Sequence, residues 1–268
     1  MCSKRKSDAA VGFPPPLLGA DPVRLPILFD TQSCLALDKP AGVGTRAHPW
    51  DAGLPDLDEA LNVQLQAGKP ELKRLGASLF GSVYYLDPEV AGIALFAKHR
   101  EALADLRDRF GSGQGAWSFH FVAGTAPEGA LEIEADAPLL PHRVKPKMIP
   151  STAKGKKCVT RFRQMTASAG RALWEARCDF FRPHQVRAHA AVSGIPILGD
   201  ELYAGPALPT FRDLDLGKRG RSGPDKVTFR GLPIRLCKLR LPSMVTDLEI
   251  ESVPGKPLEV FLKQLGLG

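Results

Sequence analysis

The sequence predicts an α+β domain built on a mixed, mostly antiparallel β-sheet with flanking helices. Short apolar runs with two-residue alternation recur along the chain. In 172–180, Trp174, Ala176, Cys178 and Phe180 alternate with Glu175, Arg177 and Asp179, the pattern of a half-buried strand. Only a few segments between these runs have helical periodicity, which favours α+β over an alternating parallel architecture. No glycine-rich phosphate loop follows a strand, so a nucleotide-cofactor fold is not expected.

The elements are predicted in order. Residues 1–25 are Pro-rich and read as a flexible tail, with one domain over 26–268. Residues 22–30 and 33–38 read as short strands around a turn at 30–32. Lys39–Gly44 (KPAGVG) is a loop made by Pro and Gly. Residues 56–68 read as a helix with Asp56 and Glu59 as a capping box, Leu57, Leu61 and Leu65 on one face, and Gly68 as its stop. A buried strand follows at 91–97, then a helix at 98–110 with Leu103, Leu106 and Phe110 inward. Further strands are expected at 117–122, 227–230, 234–241 and 248–252, and a last helix at 258–265. Within 181–200 a short helix ends at Gly194 and Pro196.

Composition narrows the class. The 268 residues are 44% hydrophobic and 24% charged, ordinary for a globular chain. No apolar run approaches the roughly 20 residues of a membrane span, and the N-terminus lacks the apolar core of a signal peptide. The five cysteines have no metal or redox spacing, which points to free thiols in a reducing cytoplasm and to no metal site. Lys and Arg total 36 against 29 Asp and Glu, a net charge of +7. The excess is concentrated. Between Asp136 and Glu175 there is no acidic residue, and the interval carries Arg143, Lys145, Lys147, Lys154, Lys156, Lys157, Arg161, Arg163 and Arg171. A second cluster is Lys218, Arg219 and Arg221. Such stretches suit phosphate contacts on a polyanion; a lysine-rich solvated loop is the plain alternative.

The most concentrated chemistry is Phe181–Asp200. Arg182, His184, Arg187 and His189 crowd the entry of the short helix, as an anchor for an anion or a buried carboxylate would. A basic amphipathic surface helix fits the same residues. Arg182, His184, Gln185, Val186, Arg187, His189, Gly194, Pro196, Ile197, Gly199, Asp200 and Tyr203 fall in register with the signature of the RluA-type RNA pseudouridine synthases, which this chain resembles. Leu35–Pro49, Tyr85–Lys98 and Gly155–Thr160 are similar to three further blocks of that family, in the same order. The resemblance implies a pseudouridine synthase fold and the isomerisation of specific uridines in ribosomal or transfer RNA. It implies no cofactor, no metal and RNA as the partner, while the sequence itself suggests no membrane association and nothing beyond a monomer.

The resemblance also assigns roles. The catalytic carboxylate is Asp87, and Arg182 is its charge partner. His184, Gln185 and Arg187 brace the site or meet the RNA backbone, Lys154, Lys156 and Lys157 grip phosphates, and Asp200 and Tyr203 secure the turn after the helix. Without the resemblance, Asp87 reads as a turn former before a strand and Arg182 as a surface arginine. Several positions depart from the family. Tyr85 stands where the family has an Arg that helps displace the base, and its ring can fill a vacated stack. Val90 and Ala91 replace Thr and Ser. Ser118 stands where a Tyr stacks on the uracil, with Phe119 adjacent but on the other face. The alternatives are an RNA-binding homologue with little or no catalysis, and a hydrolase using Asp87 or His48 beside Asp51. The hydrolase finds no nucleophile elbow or zinc ligands in the sequence.

Overall fold

The computed structural model describes residues 9–214, 226–242 and 247–268. The chain divides into two compact units, 1–116 with 238–252 and 117–237 with 253–268, where the sequence suggests one domain.

The first unit begins with β1 (Ala10–Phe13), which pairs antiparallel with β2 (Val23–Asp30). These residues fall in the expected flexible tail, which is therefore corrected from Ala10 onward. Val11 and Phe13 are buried in the core, and Lys69 and Glu71 bond the Gly12 backbone. The physical reason is that one alternating apolar pair is enough to dock a Pro-rich segment on an edge strand. β3 (Cys34–Lys39) follows, then α1 (Leu57–Gln66), α2 (Pro70–Lys73), β4 (Gly81–Ser82), β5 (Ala91–Ala97) and α3 (Arg100–Gly111). β2, β3 and β5 pair antiparallel in that order, and β4 pairs with β5. The Asp56 carboxylate caps α1, accepting from the Glu59 N–H at 2.9 Å. Leu57 and Leu61 then face Leu35, Leu37 and Phe96 in one core. α3 starts two residues later than expected. Lys98 is buried and ion-paired to Asp30, and the His99 ring takes the cap position.

The second unit holds β6 (Ala116–Gly124), β7 (Glu132–Ala135), β8 (Leu139–Pro141), β9 (Met148–Pro150), β10 (Thr160–Ser168) and β11 (Arg171–Cys178). β6, β11, β10 and β7 form an antiparallel sheet in that order, and β8 and β9 form a separate hairpin. α4 (Gln185–Val192) ends at Gly194, whose φ of 74° is the left-handed conformation that glycine adopts freely. β12 (Ile234–Leu241) crosses the division of the chain, and its later half pairs with β13 (Leu248–Glu251) in the first unit. α5 (Lys256–Gln264) packs Phe261 and Leu262 against Val122.

The expected strands at 117–122 and 227–230 fare differently. β6 is buried on both faces, because Phe119 and Phe121 pack on Phe181 and Phe162 while Val122 meets the α5 cluster. Residues 227–230 are not a strand; Val227 makes a single bridge with Thr210. The basic cluster Lys218, Arg219 and Arg221 lies outside the described residues.

Candidate functional site

Asp87 sits in the loop between β4 and β5 and is 6% exposed. Tyr84, Leu86 and Val90 are buried on either side and anchor the loop. The Val90 N–H closes a turn onto the Asp87 carbonyl at 3.0 Å. The KPAGVG loop is stitched to it. The Lys39 ammonium, fully buried, donates to the carbonyls of Val43 at 2.7 Å, Pro40 at 3.0 Å and Pro88 at 3.1 Å. Gly42, at φ 92°, gives its N–H to the same Pro88 carbonyl at 2.8 Å. Thr45 Oγ1 accepts the Leu86 N–H at 3.1 Å. Burial pushes Lys39 down to about 7, against the opposing pull of the Asp87 and Glu89 carboxylates. The backbone on both sides of Asp87 is thus held by side chains from a loop some forty residues earlier in the chain.

Tyr85, the neighbour of Asp87, is buried. The Arg46 guanidinium lies over its ring at 5.9 Å, and the His48 ring is 6.3 Å away and tilted by 51°.

In the second unit the signature residues turn inward. Gln185 accepts the Arg182 N–H at 2.9 Å and donates to the Val159 carbonyl and Thr160 Oγ1 at 3.0 and 3.1 Å. His184 Nδ1 and the Tyr203 hydroxyl are 3.1 Å apart, and that hydroxyl accepts the Met148 N–H at 2.9 Å. His189 bonds the Ala137 carbonyl through Nε2 and Thr160 Oγ1 through Nδ1, both at 2.9 Å. Because a carbonyl only accepts, Nε2 carries the hydrogen. Burial holds its pKa below the usual value, so the ring stays neutral. Arg187 is the buried arginine. It forms a bidentate pair with Asp200 at 2.7 and 2.9 Å, with side chains 3% and 1% exposed. Arg182, by contrast, is half-buried; its guanidinium donates to the Lys157 carbonyl at 3.1 and 3.3 Å and lies 5.1 Å over the Phe180 ring. The position expected for a buried charge partner therefore has a semi-exposed setting, and the neighbouring arginine has the buried one.

The basic interval separates into two kinds of residue. Arg161 pairs with Glu134 and Asp179, and Arg163 pairs with Glu175. Arg143 and Lys145 at the tip of the β8–β9 hairpin, and Lys154, Lys156 and Lys157 in the following loop, are exposed. None of these five forms an ion pair among the described residues. Lys147 lies over the Tyr203 ring at 5.8 Å.

No family model matches the chain. An uncharacterized RNA pseudouridine synthase of Zymomonas mobilis is 30% identical to it over 188 residues, spanning 66% of this chain and 77% of the relative. The chain belongs to the RluA-type RNA pseudouridine synthase family. Ribosomal large subunit pseudouridine synthase D of the same organism is 32% identical over 184 residues, 68% of this chain and 56% of the relative. The chain spans little more than half the length of the proteins of that name that it matches. The human RNA pseudouridylate synthase domain containing 4 shares the fold, with a TM-score of 0.68 at 18% identity, covering 90% of this chain and 92% of that one.

Within the RluA-type family pattern, the departures have structural consequences. Ser118 donates to Glu175 at 2.8 Å, and Arg163 and Arg177 hold the same carboxylate at 2.9 and 3.1 Å. Burial raises the Glu175 pKa, but the bonds from Arg163, Ser118 and Arg177 outweigh it and hold the group down at about 2. A serine there completes a charge clamp, in place of a ring. Phe119 packs edge-on against Phe181 at 5.2 Å and is committed to the core. Lys39, Arg46 and the Glu175 clamp were not singled out from sequence. A lysine between a strand and a Pro-Gly loop was the only available sign of the first.

Proposed function

We propose that the protein is an RNA pseudouridine synthase, an isomerase acting on specific uridines of ribosomal or transfer RNA. The observation that carries this is the buried Asp87 carboxylate on a loop locked by Lys39, Gly42 and Thr45, at the position of the family's carboxylate. In the reaction the C1′–N1 bond breaks and a C1′–C5 bond forms. The proton lost from C5 is balanced by one gained at N1. Nothing is oxidised, so the reaction calls for no cofactor, and one carboxylate can support the electron-poor C1′ as nucleophile or electrostatic partner. The base must leave its stack to react, and Tyr85 provides a ring beside Asp87 for that step. Lys154, Lys156 and Lys157 take RNA phosphates, and their exposure and lack of carboxylate partners among the described residues support this.

A carboxylate that works ionised in a water-poor site needs a cation. The resemblance gives that role to Arg182, while the Arg187 guanidinium is already committed to Asp200. The test maps pseudouridines in total RNA from cells lacking the protein, complemented with wild type, Asp87→Asn, Arg182→Ala or Arg187→Lys. Sites restored by wild type and not by Asp87→Asn support the reading. Full restoration by Arg182→Ala would remove Arg182 from the catalytic role. Sites restored by Asp87→Asn as well would overturn the catalytic assignment, and no wild-type-dependent site would leave an RNA-binding homologue.

A further inference from the structure

Arg46 is presented by a fixed backbone. The Gly44 N–H bonds Pro55 at 3.1 Å, the Thr45 carbonyl accepts the Asp58 N–H at 3.1 Å, and the Thr45 side chain holds Leu86. The guanidinium is half-buried over the Tyr85 ring, and among the described residues it makes no hydrogen bond or ion pair. Its donors remain available on the water-facing side, in a setting that already bears part of the desolvation cost.

The surroundings are cationic and aromatic together. Arg107, exposed on α3, donates to the Ser82 carbonyl at 2.9 and 3.2 Å and repels Arg46. Asp58 pulls the other way, but its carboxylate is turned onto the Ser82 N–H and hydroxyl at 2.7 and 2.9 Å, and burial pushes it up to about 6. His48 and Trp50, both half-buried, extend the aromatic group, their rings 5.8 Å apart at 61°. The Trp50 backbone N–H donates to His48 Nδ1 at 3.2 Å, which fixes the pair. A guanidinium in no ion pair among the described residues, next to half-buried rings and on the chain neighbour of Thr45, which bonds Leu86, matches the two parts of a nucleotide: a phosphate and a base.

We propose that Arg46, His48 and Trp50 form a nucleotide subsite beside Asp87, in which Arg46 takes a backbone phosphate of the RNA and Trp50 stacks the neighbouring base. This rests on the RNA reading above and adds to it the residues that hold the flanking nucleotide. It also places a positive charge at Tyr85 from a separate loop.

The test uses the full chain and a fluorescein-labelled, uridine-containing RNA hairpin, with Kd measured across a potassium chloride series. Arg46→Gln is expected to raise Kd about tenfold and to reduce the slope of log Kd against log salt by about 0.7 to 0.9, one phosphate contact. Arg46→Lys should recover the slope. Trp50→Ala should weaken binding about tenfold with the slope unchanged. A Tm within about 2 °C of wild type confirms that the fold survives. Unchanged Kd and slope in Arg46→Gln would overturn the subsite and leave a structural contact with Tyr85. Pseudouridine formation in the same hairpin, measured with wild type and Asp87→Asn, separates the readings. If wild type binds and never isomerises while Arg46→Gln still lowers the slope, the enzyme reading fails and the subsite stands.

Discussion

Lys39 donates a hydrogen bond to the Pro88 carbonyl at 3.1 Å from a fully buried ammonium, one residue past Asp87. The same ammonium holds Pro40 and Val43, so one side chain sets the spacing of two loops. Lys39→Met removes the hydrogen bonds to all three carbonyls and lets the Asp87 backbone drift. Misplacement of about 1 Å lowers rates about 10²-fold, so kcat on a substrate RNA is expected to fall by that order while RNA affinity holds within about twofold.

Lys39 also makes stability depend on pH with a definite sign. Its pKa falls from 10.5 in the unfolded chain to about 7 in the fold. Between those values the unfolded chain binds a proton that the folded one has released, so stability rises with pH across that window. Below about pH 7 both states are charged and the full cost of burying the ammonium applies. Urea midpoints taken from pH 6 to 10.5 should show the rise in wild type and lose it in Lys39→Met.

The Arg187–Asp200 pair is buried on both sides. Removing one partner strands the other charge, and Asp200→Ala is expected to cost about 3–5 kcal/mol in chemical unfolding. Replacing both by apolar residues of similar volume should cost much less. Equal losses for the single and double variants would show that the pair is not a closed unit.

Glu175 gives a second window, on the acid side, in which stability again rises with pH. Its pKa is depressed from 4.5 to about 2, so its contribution is present above about pH 4.5 and is lost as pH falls through about 2. Ser118→Ala removes one of the bonds that depress it. Acid-unfolding curves should shift to higher pH in Ser118→Ala, and further in Arg163→Ala. A curve unmoved by both changes would remove Glu175 from acid stability.

The basic residues should divide by their partners. Changing Lys154, Lys156 and Lys157 together to Ala is expected to lower the salt slope of RNA binding by about two to three. Arg161→Ala and Arg163→Ala, each removing a cation already paired to carboxylates, should leave the slope within about half a unit. Equal slopes across all these variants would remove the loop from the RNA contact.

By itself the sequence determined the class and the place of several elements. The α1 start at Asp56, the α4 stop at Gly194, the limits of β5 and the loop position of Asp87 all follow from signals a few residues long: caps, glycine conformations and alternation. Tertiary structure decided which polar residues are buried. Lys39 meets Pro88 49 positions away, and Ser118 meets Glu175 57 positions away. Arg182 and Arg187 look alike in a basic helix entry, yet only Arg187 faces Asp200, 13 residues on, from inside the core. The segment at Ala10–Phe13 became a strand because β2 offered it an edge. Local periodicity reports which face of an element is apolar; the partner that a charge meets on that face depends on a distant part of the chain, and only packing brings the two together.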